Sequence, residues 1–186
     1  MAPPHTDRFD LTGRVSLVTG ATKGLGRAMV QGLAEAGSDV VVVSRKLDLC
    51  EQVAAEVAES TGRRALPLAC HMGEWDAIPE LVDRVYKEFG RIDVLVNNAG
   101  INPAMTPITE ISEAYFDKLC SVNLKGPLRL AALVAPRMGE HGGGSIINVA
   151  TLGAYAAGPG VGTYTGLKAA LLNFSKTMAA EWVSLG

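Results

Sequence analysis

The amino-acid sequence predicts an α/β fold, a single doubly wound parallel sheet with helices on both faces. Three observations predict it. Short β-branched runs alternate with longer stretches of helical periodicity along the whole chain. The best-defined strand run, Asp39–Ser44 (DVVVVS), is apolar throughout its interior, as a strand covered on both sides must be. Glycine, 21 of 186 residues, collects at the joints between runs and shows no collagen-like period.

In order, Arg14–Thr19 reads as a strand ended by Gly20. Leu25–Ala36 reads as a helix with Leu25, Ala28, Met29 and Leu33 on its apolar side, stopped by Gly37. Asp39–Ser44 is the second strand. Leu47–Ser60 is helical, with Leu49, Val53 and Val57 in one stripe and Gly62 as its C-cap. Ala65–Cys70 is the third strand. Ile78, Leu81, Val82, Val85 and Phe89 form the next helical stripe, closed by Gly90. Ile92–Val96 is the fourth strand. Ser112 caps a helical segment, whole or broken, that runs to about Met138. Gly142–Gly144 turns the chain into a fifth strand, Ser145–Val149, and a Gly/Ala-rich loop leads to a helix over Gly162–Trp182. No linker, repeat or charge run divides the chain, so residues 1–186 read as one domain. A doubly wound sheet ordinarily closes with a sixth strand, and none follows Gly186.

Composition excludes several classes. With 48% hydrophobic and 19% charged residues the chain is not a disordered polymer. A net charge of −2 argues against a nucleic-acid partner. No apolar run reaches the ~18 residues of a membrane span, so no membrane partner is expected. The N-terminus lacks the basic and apolar regions of a secretory signal. Cys50, Cys70 and Cys120 are odd in number and widely spaced, which suits three reduced, buried thiols in a cytoplasmic protein and no metal site.

Four motifs carry chemistry. Thr19-Gly20-Ala21-Thr22-Lys23-Gly24-Leu25-Gly26 joins a strand to a helix. Gly20 makes a turn that a side chain would block, and Gly24 lets backbone approach a pyrophosphate at the helix N-terminus. Gly26 lets the helix lie close to the sheet. Ser44-Arg45 ends the second strand with no acid before Asp48. With Lys23 these residues either converge on the 2′-phosphate of NADP or are solvated surface charge. Asn97-Asn98-Ala99-Gly100 lies at a strand's carboxyl end, where open α/β sheets bind ligands. Tyr164 and Lys168, four residues apart, share a face of one helix and can point phenol and ammonium into one site.

Thr19–Gly26, Asn97–Gly100, Asn123 in Val122–Gly126, the strand Gly144–Val149 and Tyr164–Lys168, taken in order, resemble the short-chain dehydrogenase/reductase family from about Phe9 to the last residue. The resemblance implies a Rossmann-like fold and hydride transfer between a carbonyl and a secondary alcohol, and Ser44, Arg45 and Lys23 make NADP(H) the expected cofactor in preference to NAD(H). It implies a catalytic set of Asn123, Thr151, Tyr164 and Lys168. It places the cofactor against Gly20, Thr22, Lys23, Gly24, Leu25, Gly26, Ser44, Arg45, His71, Met72, Asn98, Ala99 and Gly100, as well as Tyr164 and Lys168. Tyr164 is then the general acid or base, with Lys168 lowering its pKa and gripping the nicotinamide ribose. Asn123 either holds a proton-relaying water or kinks its helix.

The sequence departs from the family pattern at three points. The family's serine position holds Thr151, while Ser145 begins the strand and so lies at the wrong end of the sheet. His71 stands where the family often has an aspartate at the adenine; it either donates to the base or caps the following helix. The family's domains run to ~250 residues, so the chain is expected to lack the last strands and the substrate lid. A small-molecule substrate and a homodimer or homotetramer are the expected partners, the latter through Ser112–Met138 and Gly162–Trp182. The alternative to an enzyme is a catalytically inactive dinucleotide-binding fragment or sensor.

Overall fold

A computed structural model describes residues 9–156 and 158–186. Five parallel strands form one sheet: β1 (Val15–Thr19), β2 (Asp39–Ser44), β3 (Ala65–Ala69), β4 (Val94–Asn97) and β5 (Ser145–Asn148). Their spatial order is β3-β2-β1-β4-β5. The direction of winding reverses between β1 and β4, and that switch point opens a crevice at the strands' carboxyl ends. The helices are α1 (Gly24–Glu35), α2 (Leu47–Thr61), α3 (Ile78–Phe89), α4 (Glu113–Cys120), α5 (Gly126–Gly139) and α6 (Gly162–Glu181). This is the expected Rossmann-like architecture. None of the described helices is long and apolar enough to cross a membrane.

Two apolar layers hold the sheet. Val18, Val40, Val42 and Val96 pack against Val30 and Ala34 of α1 and Val53 and Val57 of α2. Leu17, Val41, Leu68 and Leu95 face α3, α5 and Met178 of α6. The alternation of neighbouring strand residues between the two layers follows from the pleat. Gly62 and Gly90 end α2 and α3 in the left-handed conformation, at φ of 69° and 75°, as C-cap glycines do.

Several boundaries differ from the sequence reading. β4 begins at Val94 rather than Ile92; just before it, the Asp93 carboxylate accepts from the Val15 amide and from Arg14 and Arg91. The buried side of α1 is Gly26, Val30 and Ala34, not the Leu25 stripe; Leu25 is 67% exposed. In α2 the buried stripe is Cys50, Val53, Ala54 and Val57, and Leu49 faces outward. Cys50, Cys70 and Cys120 are unpaired thiols, but only the first two are buried.

The segment after Ser112 is not one helix. Ser112 caps α4 by accepting from the Tyr115 amide at 3.2 Å, as the spacing indicates. A π-helical turn, Ser121–Lys125, then separates α4 from α5. Such a widened turn frees a carbonyl from the regular ladder. The Asn123 side chain takes that group, donating to Leu119 O at 3.0 Å. Immediately beyond, a Cβ on Gly126 would stand 2.1 Å from Met72 O, so only glycine lets α5 abut the chain leaving β3.

Candidate active site

The glycine-rich loop is built by one residue's hydroxyl and one residue's amide. Thr19 Oγ1 accepts from the backbone N–H of both Asn98 and Ala99 at 3.0 Å. Asn98 Nδ2 donates to Thr19 O at 2.9 Å and Gly20 O at 3.2 Å. The ends of β1 and β4 are thereby latched across the switch point. Gly20 turns the chain at φ 65°, and a Cβ on Gly26 would lie 2.2 Å from Gly20 O. Gly26 is therefore a packing glycine that draws α1 onto the turn. Gly24, at φ 54°, has open space where a side chain would be. The Lys23 side chain does not cap α1, so the first-turn amides have no side-chain acceptor.

Beside this turn lies a cleft of about 330 Å³. It brings together Gly20, Thr22, Lys23, Ser44, Arg45, His71, Met72, Ala99 and Gly100 of the expected cofactor residues. Gly24, Leu25, Gly26, Asn98, Tyr164 and Lys168 do not line it; Gly26 and Asn98 pack against Gly20 behind it. Val122, the first residue of the Asn123 motif, also lines it, as do Cys70, Ile101, Pro103 and Lys118, which no motif singled out. Thr22 Oγ1 donates to Ser44 Oγ at 3.2 Å, joining the glycine loop to the end of β2, with Lys23 and Arg45 exposed at the rim. His71 Nδ1 accepts from the Gly73 amide at 3.0 Å. It thus fastens its own turn and does not cap α3, which has no side-chain cap. A neutral His71 in that arrangement carries its proton on Nε2.

The other half of the site hangs on α6. Tyr164, half-buried, and Lys168, 2% exposed, lie one turn apart on its first half. Lys168 Nζ donates to Val149 O at 2.8 Å, just past the end of β5. Burial pushes its ammonium below the ordinary lysine value. A Cβ on Gly100 would lie 3.0 Å from Asn123 Oδ1 and 3.7 Å from Lys168 Nζ, so both groups close on Gly100 at the edge of the cleft. Asn123 is fully buried; Nδ2 donates to Ile101 O at 2.9 Å and Oδ1 accepts from the Ile101 amide at 3.0 Å. With Leu119 O as its third partner, the amide is a clamp between the π-turn and the loop after β4.

Thr151 follows β5 and precedes a short 3₁₀ turn, Leu152–Ala154. Its Oγ1 accepts from the Gly153 amide at 3.3 Å, which orients the hydroxyl and leaves its proton free to donate. Ser145 pairs with Val94 at the opposite end of β5, as expected from the sequence. Sequence reasoning missed the support for α6. Asn97 Nδ2 donates to Asn148 Oδ1 at 2.9 Å, and Asn148 Nδ2 donates to Ser175 Oγ at 2.9 Å. This chain of amides ties α6 to the sheet. Its only local signal is the pair of strand-terminal asparagines.

The short chain dehydrogenase family model matches residues 14–186. The chain is 37% identical over 176 residues to human dehydrogenase/reductase SDR family member 4, covering 95% of this chain and 63% of that protein. It is 38% identical over 177 residues to 2-dehydro-3-deoxy-D-gluconate 5-dehydrogenase of Escherichia coli, covering 94% of this chain and 68% of that protein. A crystal structure of a metagenomic short-chain oxidoreductase in complex with NADP superposes with a TM-score of 0.90 at 34% identity. It covers 94% of this chain and 79% of that one. The chain thus spans a little under two thirds of the human relative's length. With the glycine turn, the Asn123 clamp and the Tyr164–Lys168 pair in place, the chain belongs to the short chain dehydrogenase family.

Proposed function

We propose that the chain is an NADP(H)-dependent oxidoreductase that interconverts a carbonyl and a secondary alcohol, with Tyr164 as general acid in reduction and general base in oxidation. The observation that carries the reading is Lys168. A buried ammonium stands one helical turn from a phenol and closes on Gly100, which also lines the cleft, so phenol and ammonium can act together on one proton at the cleft's edge. Two of its three protons remain for the phenol and a ribose, the third being held by Val149 O.

The residues present fit a dinucleotide. The open face of Gly24 and the uncapped first turn of α1 suit a pyrophosphate. Ser44, Arg45 and Lys23 suit a 2′-phosphate, and the β2 end offers no carboxylate for a bare ribose. His71 and Met72 would then border the base, with Ala99 and Gly100 toward the nicotinamide. A nicotinamide, when bound, supplies or takes the hydride. Thr151 donates to the substrate oxygen as negative charge develops there. Asn123 holds the loop that shapes this end of the site. A small-molecule substrate, a cytoplasmic setting and a homodimer or homotetramer are part of the same proposal. Phe116 and Phe174, 45% and 43% exposed on α4 and α6, are available to a second subunit.

Fluorescence titration with NADPH and NADH, beside turnover of simple ketones and aldehydes, tests this. A charge-assisted phosphate contact contributes about 1.5–3 kcal/mol, or roughly ten- to hundredfold in affinity for NADPH. Equal affinities would remove the NADP preference. Binding without turnover would favour a dinucleotide-binding protein that does no chemistry.

A further inference from the structure

Two loops flank the first turn of α6, and their large exposed side chains are apolar, with Asn102, Thr109 and Glu110 the exposed polar ones among the described residues. One is the segment after β4: Met105 and Ile108 are 74% and 77% exposed. The other follows Thr151: Leu152 and Tyr155 are 83% and 79% exposed. The two are joined. The Thr106 amide donates to Gly160 O at 2.8 Å, and a Cβ on Gly160 would lie 3.3 Å from Met105 Cβ. A Cβ on Gly162, the first residue of α6, would lie 3.4 Å from Ile108 Cδ1. On the other side, a Cβ on Gly153 would lie 2.7 Å from Thr165 Cγ2, which sets the Leu152 turn against α6 next to Tyr164. Single exposed apolar residues mean little, but four on adjoining loops around a reactive phenol form a ligand-facing patch.

The same loops are almost without charge. Residues 101–111 hold Glu110 alone, and residues 151–163 hold no Asp, Glu, Lys or Arg. Among nearby cations, Lys118 lines the cleft beside the glycine turn, and Lys168 is buried and donates to Val149 O. A carboxylate or phosphate on the substrate would meet no cation on these loops, with Glu110 adding repulsion. We infer that the substrate is a neutral carbonyl compound with an apolar body, recognised by Met105, Ile108, Leu152 and Tyr155, and that keto acids and sugar acids are rejected.

The inference rests on the catalytic reading above but has its own readout. Two aldehydes of like shape, 4-methylbenzaldehyde and 4-carboxybenzaldehyde, serve as probes because their reduction, though it gives primary alcohols, needs the same hydride and proton transfer as a ketone's; they are compared with the NADPH-loaded protein by initial rates and by saturation-transfer difference NMR. The methyl compound is expected to show the stronger saturation transfer and at least about tenfold higher kcat/KM. Leu152→Arg is expected to narrow or reverse that ratio. A methyl preference in binding without turnover would support the apolar site while the catalytic reading fails. Equal or better use of the carboxylate, with turnover intact, would overturn the inference and leave the oxidoreductase reading standing. Saturation transfer from neither aldehyde, as when the apolar loops are covered by other protein, would also overturn it.

Discussion

Replacing Gly26 by alanine adds one methyl group at the point where α1 meets the glycine turn. Its Cβ would stand 2.2 Å from Gly20 O and 2.5 Å from Asn98 Nδ2. The first approach is at least about 1 Å short of an ordinary contact, and neither neighbour is the free end of a flexible chain. Either α1 lifts off the sheet or the turn moves and the Asn98–Gly20 hydrogen bond breaks. Overpacking costs about 1–3 kcal/mol and the lost bond about 0.5–1.5 kcal/mol, against about 0.5–1 kcal/mol gained by alanine over glycine in a helix. The net is a loss of about 0.5–4 kcal/mol, which at about 2–4 °C per kcal/mol lowers Tm by roughly 1–16 °C. Gly32 supplies the control. It lies in the same helix, is exposed, and has nothing within 4 Å of its would-be Cβ. Gly32→Ala should therefore stabilise by about 0.5–1 kcal/mol. Urea unfolding of the two variants, with NADPH titration alongside, reads both signs. If Gly26→Ala were as stable as Gly32→Ala and bound NADPH like the parent, Gly26 would not be the packing contact that shapes the loop.

Two further outcomes follow from hydrogen bonds already described. Asp93 is buried, which alone would raise its pKa, but donation from Arg91, the Val15 amide and Arg14 outweighs burial and holds it below the usual carboxylate value. The stability it contributes is complete above the unfolded value of about 3.9 and is lost as pH falls through the lower native one. Asp93→Asn should therefore lower the urea midpoint at pH 7 and flatten its decline between pH 5 and 2; an unchanged decline would assign the acid transition to other groups. At Thr151, Thr151→Ser should keep or raise turnover, because the donating hydroxyl stays and a methyl beside the substrate goes. Thr151→Val should lose about 10²–10³-fold, as removal of one donor to a developing oxyanion does. Full activity in Thr151→Val would move the donor elsewhere.

The alternation of strands and helices was legible because each element repeats its pattern over many residues, and Ser112, Gly62 and Gly90 mark ends by chemistry that acts locally. The buried side of α1 was misjudged because its closest contact, Gly26, has no side chain to register as apolar. The Tyr164–Lys168 pair was visible as a spacing, but the acceptor that fixes Lys168, Val149 O, lies 19 residues away and carries no side-chain signal. Asn97 and Asn98 look alike in sequence and do different work. Asn98 latches β1 to β4 across about 79 residues of chain, while Asn97 reaches Asn148 on β5. His71 left two roles open, and its bond to Gly73 two residues on excludes the helix cap. Such roles are set by which strand ends become neighbours, which periodicity does not encode.

The central claim is that Tyr164 moves the proton while the rest of the site holds the dinucleotide. It is tested most directly by Tyr164→Phe, which keeps the ring and its packing on α6 and removes the transferable proton. NADPH affinity and the rate of NADPH oxidation with 4-methylbenzaldehyde are measured on the same samples. The account predicts a rate lower by about 10²–10⁴-fold with NADPH affinity within about threefold of the parent. A Tyr164→Phe protein that reduces the aldehyde at the parent's rate would contradict it.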